Sequence, residues 1–290
     1  MPTILVTGAT GQLGQGVVTH LSRRAKNSTI AALARSKDKA VGLFPGHVEV
    51  RLGDYADPSS LASAFKGVDT LVFISANPFT DVVSLHKNVI EAAVDAGVKH
   101  ILYTAIQRAA GSTFEISQVT EWDKATIAEL EKSGIPHTIL RNTLYMDALP
   151  WMLGNDFEGG LLAPAGHTKA ALASRDDLAE AAAILALDGS SAGTSYTLGG
   201  STTVSLDDIA TIIGKATSRD VRYIDTPVST FVAERVKAGT PDFVAAFMAE
   251  WFQAVAAGEF SEVTGDLEAI LGRKPVTPET FLPLIFDVNV

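Results

Sequence analysis

The stretch that decides the fold is Thr7-Gly8-Ala9-Thr10-Gly11-Gln12-Leu13-Gly14, near the start of the chain. Its spacing is G-x-x-G-x-x-G, and it joins a β-rich run, Thr3–Thr7, to a helical pattern, Gly11–Ala25. The first glycine permits a tight turn, the second lets the backbone approach a pyrophosphate, and the third lets the helix lie close to the strand. Because a helix N-terminus presents unpaired N–H groups, the stretch predicts a dinucleotide site; a turn without a ligand is the alternative.

Strand and helix patterns alternate through the first half of the chain. Further strand patterns lie at Thr29–Ala34, Val48–Leu52, Leu71–Ile74, Ile101–Thr104 and His137–Leu140. Helical patterns lie at Ser36–Phe44, after the cap Asp57-Pro58, at about Asp81–Ala96 and at Ser117–Ser133. Strands separated by helices of this length predict an α/β fold, with a Rossmann-type, doubly wound parallel sheet and helices on both faces.

The pattern changes after about residue 145. Residues 151–166 are glycine-rich and irregular, Arg175–Leu187 is helical, Ser195–Leu198 is β-rich, and the remainder is mostly helical. Ser205–Asp208 resembles a capping box. Prolines stand where three of the helices should begin, at Pro227, Pro241 and Pro278.

This change predicts two parts. We expect a Rossmann domain over residues 1–150, completed by segments from about 170–200. A smaller, mainly helical substrate lobe should occupy residues 151–290. The linkers are short, so two independent domains are not expected.

Arg35 indicates which nucleotide the site prefers, because it directly follows the second strand pattern. Folds that bind NAD usually place an acidic residue there, which accepts from the ribose 2′-hydroxyl. A guanidinium can instead pair with a 2′-phosphate, and Lys37 and Lys39 add positive charge nearby. The sequence therefore favours NADPH over NADH as the cofactor, with a solvated basic loop as the alternative.

Other strand ends supply further candidates for the cofactor site. Asp54 follows the third strand, where it either accepts from the adenine amino group, with Tyr55 beside the ring, or forms a turn. Ser75, Ala76 and Asn77 end the fourth strand, where a doubly wound sheet contacts its dinucleotide. The glycine-loop residues complete the predicted site: Gly8, Thr10, Gly11, Gln12, Leu13 and Gly14.

Composition argues against several other classes of protein. The 290-residue chain has no cysteine and a net charge of −10. The absence of cysteine rules out disulfides and thiolate metal sites, and the negative charge disfavours nucleic-acid binding. No apolar run approaches the roughly 20 residues of a membrane-spanning helix, and no basic region of a secretory signal is present. The six histidines have no metal-ligand spacing. The composition therefore predicts a cytoplasmic protein and leaves self-association open.

Several segments together resemble one family. They are TGATGQLG (7–14), ALARSKDKA (32–40), AGVKHILYTA (96–105), SGIPHTILRNTLY (133–145) and, more loosely, AAGEFSEVTGDLEAILG (256–272). These segments are similar to the NmrA-like branch of the atypical short-chain dehydrogenases, in particular to its reductases of quinones and triphenylmethane dyes. The resemblance implies a Rossmann domain with a small substrate lobe, NADPH as the cofactor, and a substrate cleft between the two parts.

The acid used by ordinary short-chain dehydrogenases is missing. Those enzymes carry Tyr-x-x-x-Lys, in which the lysine lowers the pKa of the tyrosine that protonates the carbonyl. None of the five tyrosines has a lysine four positions on, where the chain has Ser59, Gln107, Leu149, Gly200 and Pro227. Quinones and cationic dye carbons are good hydride acceptors, for which a position about 3–3.5 Å from the nicotinamide can suffice. The absence therefore agrees with a small aromatic or quinone-like substrate.

Candidate residues for the chemistry come mainly from the resemblance. It implies that Asn142, Thr143 and Tyr145 line the cofactor and substrate cleft, with Tyr145 either orienting the acceptor or packing between the lobes. Lys124 lies near the catalytic lysine of isoflavone-reductase-like relatives, and a solvated helix residue is the alternative. Arg175 either reaches the cofactor or pairs with the two aspartates that follow it.

Two functions agree with these residues. The first is an NADPH-dependent reductase that transfers hydride to a quinone-like or other conjugated acceptor. The second is a regulator that binds the dinucleotide without turning it over, since the NmrA-like family includes such sensors. A regulator would need a partner surface, and no exposed apolar stripe is evident in the sequence. Analogy with the reductases of the family favours the enzyme.

Overall fold

A computed structural model describes residues 1–286 of the chain. Two compact units are interleaved along the sequence. The first contains residues 1–106, 118–142 and 175–197, and the second contains 107–117, 143–174 and 198–286. Within the described residues, no helix is long and apolar enough to cross a membrane.

Short strands and helices alternate from the start of the chain. Up to the sixth strand they are β1 (Thr3–Val6), α1 (Gln12–Arg24), β2 (Thr29–Ala34), β3 (Glu49–Leu52), α2 (Pro58–Ala64), β4 (Thr70–Phe73), α3 (Val82–Asp95), β5 (His100–Ile106), α4 (Ser117–Ser133) and β6 (His137–Asn142). Beyond it lie α5 (Leu149–Leu153), β7 (Leu161–Ala163), α6 (Arg175–Asp188), β8 (Ser195–Leu198), α7 (Leu206–Thr217), β9 (Tyr223–Asp225), α8 (Val228–Lys237), α9 (Asp242–Ala256), α10 (Asp266–Leu271) and α11 (Pro278–Ile285).

A seven-stranded sheet forms the centre of the first unit, in the order β3-β2-β1-β4-β5-β6-β8. Each neighbouring pair from β3 to β6 is parallel. The strand order reverses between β1 and β4, which is the topological switch point of a Rossmann-type sheet. The predicted doubly wound sheet is confirmed. Its carboxyl edge at β1 and β4 is where such sheets bind their ligands.

Helices cover both faces of this sheet. On one face, α2, α3 and α4 bury an apolar cluster with the strands, which includes the large side chains Phe65, Phe73 and Tyr103. On the other face, α6 packs along α1. A Cβ placed on Gly16 would lie only 2.8 Å from the Cβ of Ala179, so the glycine permits this close approach of the two helices.

Predicted and observed elements of the sheet agree within two residues at each end, but one predicted helix is wrong. Turns occupy Ser36–Phe44. They are closed by isolated hydrogen bonds, such as that from Ala40 N–H to the Lys37 carbonyl (2.9 Å). Gly42 has a φ of +74°, in the left-handed region, and this conformation ends a right-handed helix.

The second unit contains mainly helices, as predicted. Residues 151–166, which the sequence predicts to be irregular, contain part of α5 and the strand β7, which pairs in parallel with β9. Three-residue strands are too short to give a periodic signal. Phe231 of α8 packs edge-to-face against Phe252 of α9, with ring centroids 5.5 Å apart. Prolines stand at the start of three helices, as expected: Pro227 and Pro241 are the N-cap residues of α8 and α9, and Pro278 is the first residue of α11.

A buried carboxylate organises the loop after β5 within this unit. Glu259 accepts hydrogen bonds from Arg108 Nε (2.8 Å), the Ala109 N–H (3.1 Å) and the Ser112 hydroxyl. Its side chain is fully buried, so the guanidinium and the two neutral donors together compensate for the loss of water. Glu259, which lies in the segment 256–272, therefore has a structural role in holding this loop.

Ser205 caps the N-terminus of α7. Its side chain accepts from the Asp208 N–H (3.2 Å), and the Asp208 carboxylate accepts from the Ser205 N–H (2.9 Å), which completes the predicted capping box. We expect Ser205→Ala to lower the free energy of unfolding by about 1 kcal/mol, because the helix loses its N-cap acceptor. Urea unfolding measures this change. The control Ser63→Ala, which removes an exposed serine within α2, should leave the midpoint unchanged, and equal midpoints for both variants would contradict the capping role.

Candidate functional site

A pocket of about 400 Å³ opens where β1 to β4 end. Its lining includes every predicted cofactor residue from Gly8 to Asn77, and also Arg175 at the start of α6. Asn142 and Thr143 do not line it. The sequence did not single out several other lining residues, namely Leu33, Gly53, Ile74, Thr80 and Leu85.

The glycine loop has the geometry of a phosphate cradle. Gly8 has a φ of +59°, which makes the turn after β1. A Cβ on Gly14 would lie 2.7 Å from the Cα of Ala9, so only glycine fits where α1 crosses the loop. Gly11 stands at the N-cap, and no side chain among residues 1–286 caps the helix there. The first amides of α1 therefore line an open pocket, as the binding of anions at a helix N-terminus requires.

Arg35 offers a second place for an anion. It follows β2 directly, lines the pocket and is exposed. Its guanidinium has no hydrogen-bond or ion-pair partner within the described chain, so its five donors are available to a ligand. These features fit a nucleotide that carries a phosphate on the ribose.

Asp54 forms a turn, which is one of the two roles that its sequence position predicts. Its carboxylate Oδ1 accepts from the Ala56 N–H at 3.0 Å, and its own N–H donates to the Ser60 hydroxyl at 3.0 Å. Asp54 also lines the pocket. Its contact with adenine stays a prediction. The neighbouring Tyr55 donates its hydroxyl proton to the Ile74 carbonyl (2.9 Å), and burial raises the Tyr55 pKa, which keeps that donor protonated.

Side chains from other elements hold the segment that extends β4 along the pocket. The Ile74 N–H donates to the Thr7 hydroxyl (3.1 Å), and the Ser75 N–H donates to the Thr104 hydroxyl (3.0 Å). Side-chain hydroxyls therefore replace backbone carbonyls as the acceptors for these N–H groups after β4 ends. One wall of the pocket is consequently fixed by groups that do not themselves face the ligand.

Arg175 is placed by the packing of α6 on α1. Asp176 pairs with His20 at 2.8 Å, and Arg24 pairs with Glu180 one turn further along both helices. Asp176 is therefore directed towards α1, while Arg175 lines the pocket. Contact of Arg175 with the cofactor stays a prediction.

The other predicted site residues lie elsewhere. Asn142 and Thr143 are buried at the end of β6, and the Thr143 Oγ1 has no hydrogen-bond partner among residues 1–286. Tyr145 is half-buried and bridges to Ala173, while Lys124 is exposed on α4. The roles of all four residues stay predictions.

The strand order, the glycine turn and the pocket at the switch point define a Rossmann-type α/β protein. The sequence profile of the NmrA-like family matches residues 1–282, and the chain belongs to that family. This confirms the resemblance inferred from the segments quoted above.

Individual relatives match over almost the full length. Quinone oxidoreductase 2 of Escherichia coli (strain K12) is 32% identical over 287 residues, which are 99% of this chain and 99% of that protein. The crystal structure of the NADPH-dependent quinone oxidoreductase from Escherichia coli, complexed with NADPH, matches with a TM-score of 0.89 and 32% identity, over 98% of this chain and 99% of that one. Triphenylmethane reductase of Citrobacter sp. matches with a TM-score of 0.89 and 32% identity, over 99% and 100%.

Proposed function

We propose that this chain is an NADPH-dependent reductase that transfers hydride to a quinone-like or other conjugated aromatic acceptor. The observation that carries the proposal is the pocket at the ends of β1 to β4. There the uncapped N-terminus of α1 and the unpartnered guanidinium of Arg35 offer two separate places for phosphate groups. NADPH carries phosphates of both kinds, a pyrophosphate and a 2′-phosphate.

The chain's own residues would bind and orient the cofactor. The amides of Gln12 and Leu13 would hold the pyrophosphate, and Arg35 would pair with the 2′-phosphate. When bound, NADPH supplies the hydride. The complex of the related Escherichia coli quinone oxidoreductase with NADPH supports this choice of cofactor.

Two observations support a conjugated acceptor. The relatives are named for quinones and triphenylmethane dyes, and the chain lacks Tyr-x-x-x-Lys. A quinone takes up one hydride and one proton to give a hydroquinone, while a triphenylmethane cation needs only the hydride to give its colourless form. Tyr145 is our candidate for orienting the acceptor, and Lys124 is a second candidate for the chemistry. The position of the acceptor stays a prediction.

Acceptor-dependent oxidation of NADPH tests the proposal. We expect purified protein to consume NADPH with at least one member of a panel of quinones and triphenylmethane dyes. Simple ketones should react at least about 10²-fold more slowly, because no positioned tyrosine acid assists them. Reactions without acceptor and with NADH serve as controls. NADPH binding without turnover of any acceptor would overturn the reductase and favour a cofactor-sensing regulator.

A further inference from the structure

We infer that His86, a residue of α3 outside the pocket, positions the wall of the cofactor site by holding the backbone of Ala76. This inference rests on the proposed function in one respect only, because it takes NADPH to be the ligand of the pocket. It does not depend on the acceptor. His86 is thus a positioning residue and touches neither cofactor nor substrate.

His86 contacts the backbone just beyond the end of β4. The Ala76 N–H donates to His86 Nε2 at 2.9 Å, and the Ser75 hydroxyl lies 3.4 Å from the same nitrogen. Ala76 lies beyond the end of β4, and it lines the pocket together with Ser75 and Asn77. Thr7 and Thr104 accept from the two preceding N–H groups, so His86 supplies the side-chain acceptor for the third consecutive N–H of this wall.

The hydrogen bonds of His86 define the tautomer of its ring. A backbone N–H can only donate, so Nε2 must be the unprotonated acceptor and Nδ1 must carry the proton. Nδ1 lies 2.7 Å from the Thr126 hydroxyl, which donates in turn to the Trp122 carbonyl at 2.7 Å. Each hydrogen bond in the series from the Ala76 N–H to the Trp122 carbonyl therefore has its donor on the Ala76 side. Thr126 and Trp122 belong to α4, so α4 sets the orientation of the ring that holds Ala76.

The His86 ring is packed among aromatic side chains and is uncharged. His86 is buried, with its ring edge-to-face on Phe73 (4.8 Å between centroids) and on Tyr103 (5.8 Å). Burial lowers the pKa of His86 to about 3. The ring is therefore neutral under ordinary conditions, which keeps Nε2 available as an acceptor.

A second buried histidine supplies a matched control. His100 Nε2 lies 2.9 Å from the Thr138 hydroxyl, and His100 is buried at the amino end of β5. The pair resembles His86 and Thr126 in chemistry and lies in the same unit. It does not line the pocket, which opens at the opposite ends of the strands.

The experiment compares NADPH dissociation constants of purified full-length variants by calorimetry. His86→Phe keeps an aromatic ring against Phe73 but removes the acceptor for Ala76, and we expect the dissociation constant to rise roughly 5-fold, since a buried donor loses its partner. His86→Gln, which restores an acceptor oxygen, should recover most of the affinity. His100→Phe should lower the melting temperature but leave the dissociation constant unchanged.

The outcomes separate this inference from the proposed function. A wild type that does not bind NADPH overturns both. A wild type that binds NADPH, together with a folded His86→Phe variant of equal affinity, overturns only the inference, as does an equal loss of affinity in His100→Phe. If His86→Phe does not fold, nitrogen chemical shifts of labelled wild-type histidine provide the test: a neutral Nδ1–H tautomer at pH 5 supports the inference, and an Nε2–H tautomer contradicts it.

Discussion

Gly14→Ala is expected to abolish measurable NADPH binding. The added Cβ would lie 2.7 Å from the Cα of Ala9 and would also contact the Gly8 carbonyl, so the neighbouring atoms are backbone and cannot rotate away. Overpacking of this kind costs about 1–3 kcal/mol and is relieved by a backbone shift. Here the shift would move the turn that we propose holds the pyrophosphate, and we expect the dissociation constant for NADPH to rise by more than roughly 100-fold.

Calorimetry and thermal unfolding measure the two effects of this substitution. The matched control is Gly46→Ala, because a Cβ on Gly46 would meet no atom within 4 Å and the residue lies outside the pocket. That variant should bind NADPH and unfold as the wild type does. Wild-type affinity in Gly14→Ala would show that the helix need not approach the loop so closely, and would contradict this account of the phosphate site.

Arg35→Ala is expected to remove the preference for NADPH. The exposed guanidinium has no partner within residues 1–286, so it is free to make charge-assisted bonds to a 2′-phosphate. Hydrogen bonds to charged groups of this kind predict a loss of NADPH affinity of about 10- to 100-fold. NADH lacks the phosphate, and its affinity should change little.

The ratio of the two dissociation constants, measured in wild type and variant, tests this prediction. Arg23→Ala is the control, since it removes the same positive charge from an exposed position at the end of α1 that does not line the pocket. It should leave the ratio unchanged. Equal affinity of the wild type for NADPH and NADH would contradict the assignment of Arg35.

The local structure could be predicted from the sequence where it depends on residues that are neighbours along the chain. The glycine loop sets its own turn, the strands are apolar runs, and the cap of α7 is encoded within four residues. The helix predicted at Ser36–Phe44 was wrong: the segment forms turns, and Gly42 within it has a left-handed φ that a helix cannot contain. β7 and β9 were missed because each gains its hydrogen bonds from a distant partner.

In the pocket at the ends of β1 to β4, local sequence signals again predicted some residues, while residues that depend on distant partners were missed. Residues that directly follow a strand could be predicted, because the carboxyl ends of parallel strands meet at one edge of the sheet. His86 could not, since its partners Ala76 and Thr126 are 10 and 40 residues away in the chain. An isolated histidine on an apolar helix face was the only signal. The roles of Tyr145 and Lys124 depend on a bound acceptor, which no local pattern describes.

Direct hydride transfer from NADPH to the acceptor is tested most directly by following the hydride itself. NADPH labelled with deuterium at either of the two positions on the reacting nicotinamide carbon is incubated with the protein and a triphenylmethane dye, and the colourless product is analysed by mass spectrometry. We expect one of the two labelled cofactors to transfer deuterium to the central carbon of the dye, which raises the product mass by one unit while NADP⁺ forms. A reduced dye without deuterium from either labelled cofactor would contradict direct hydride transfer by this protein.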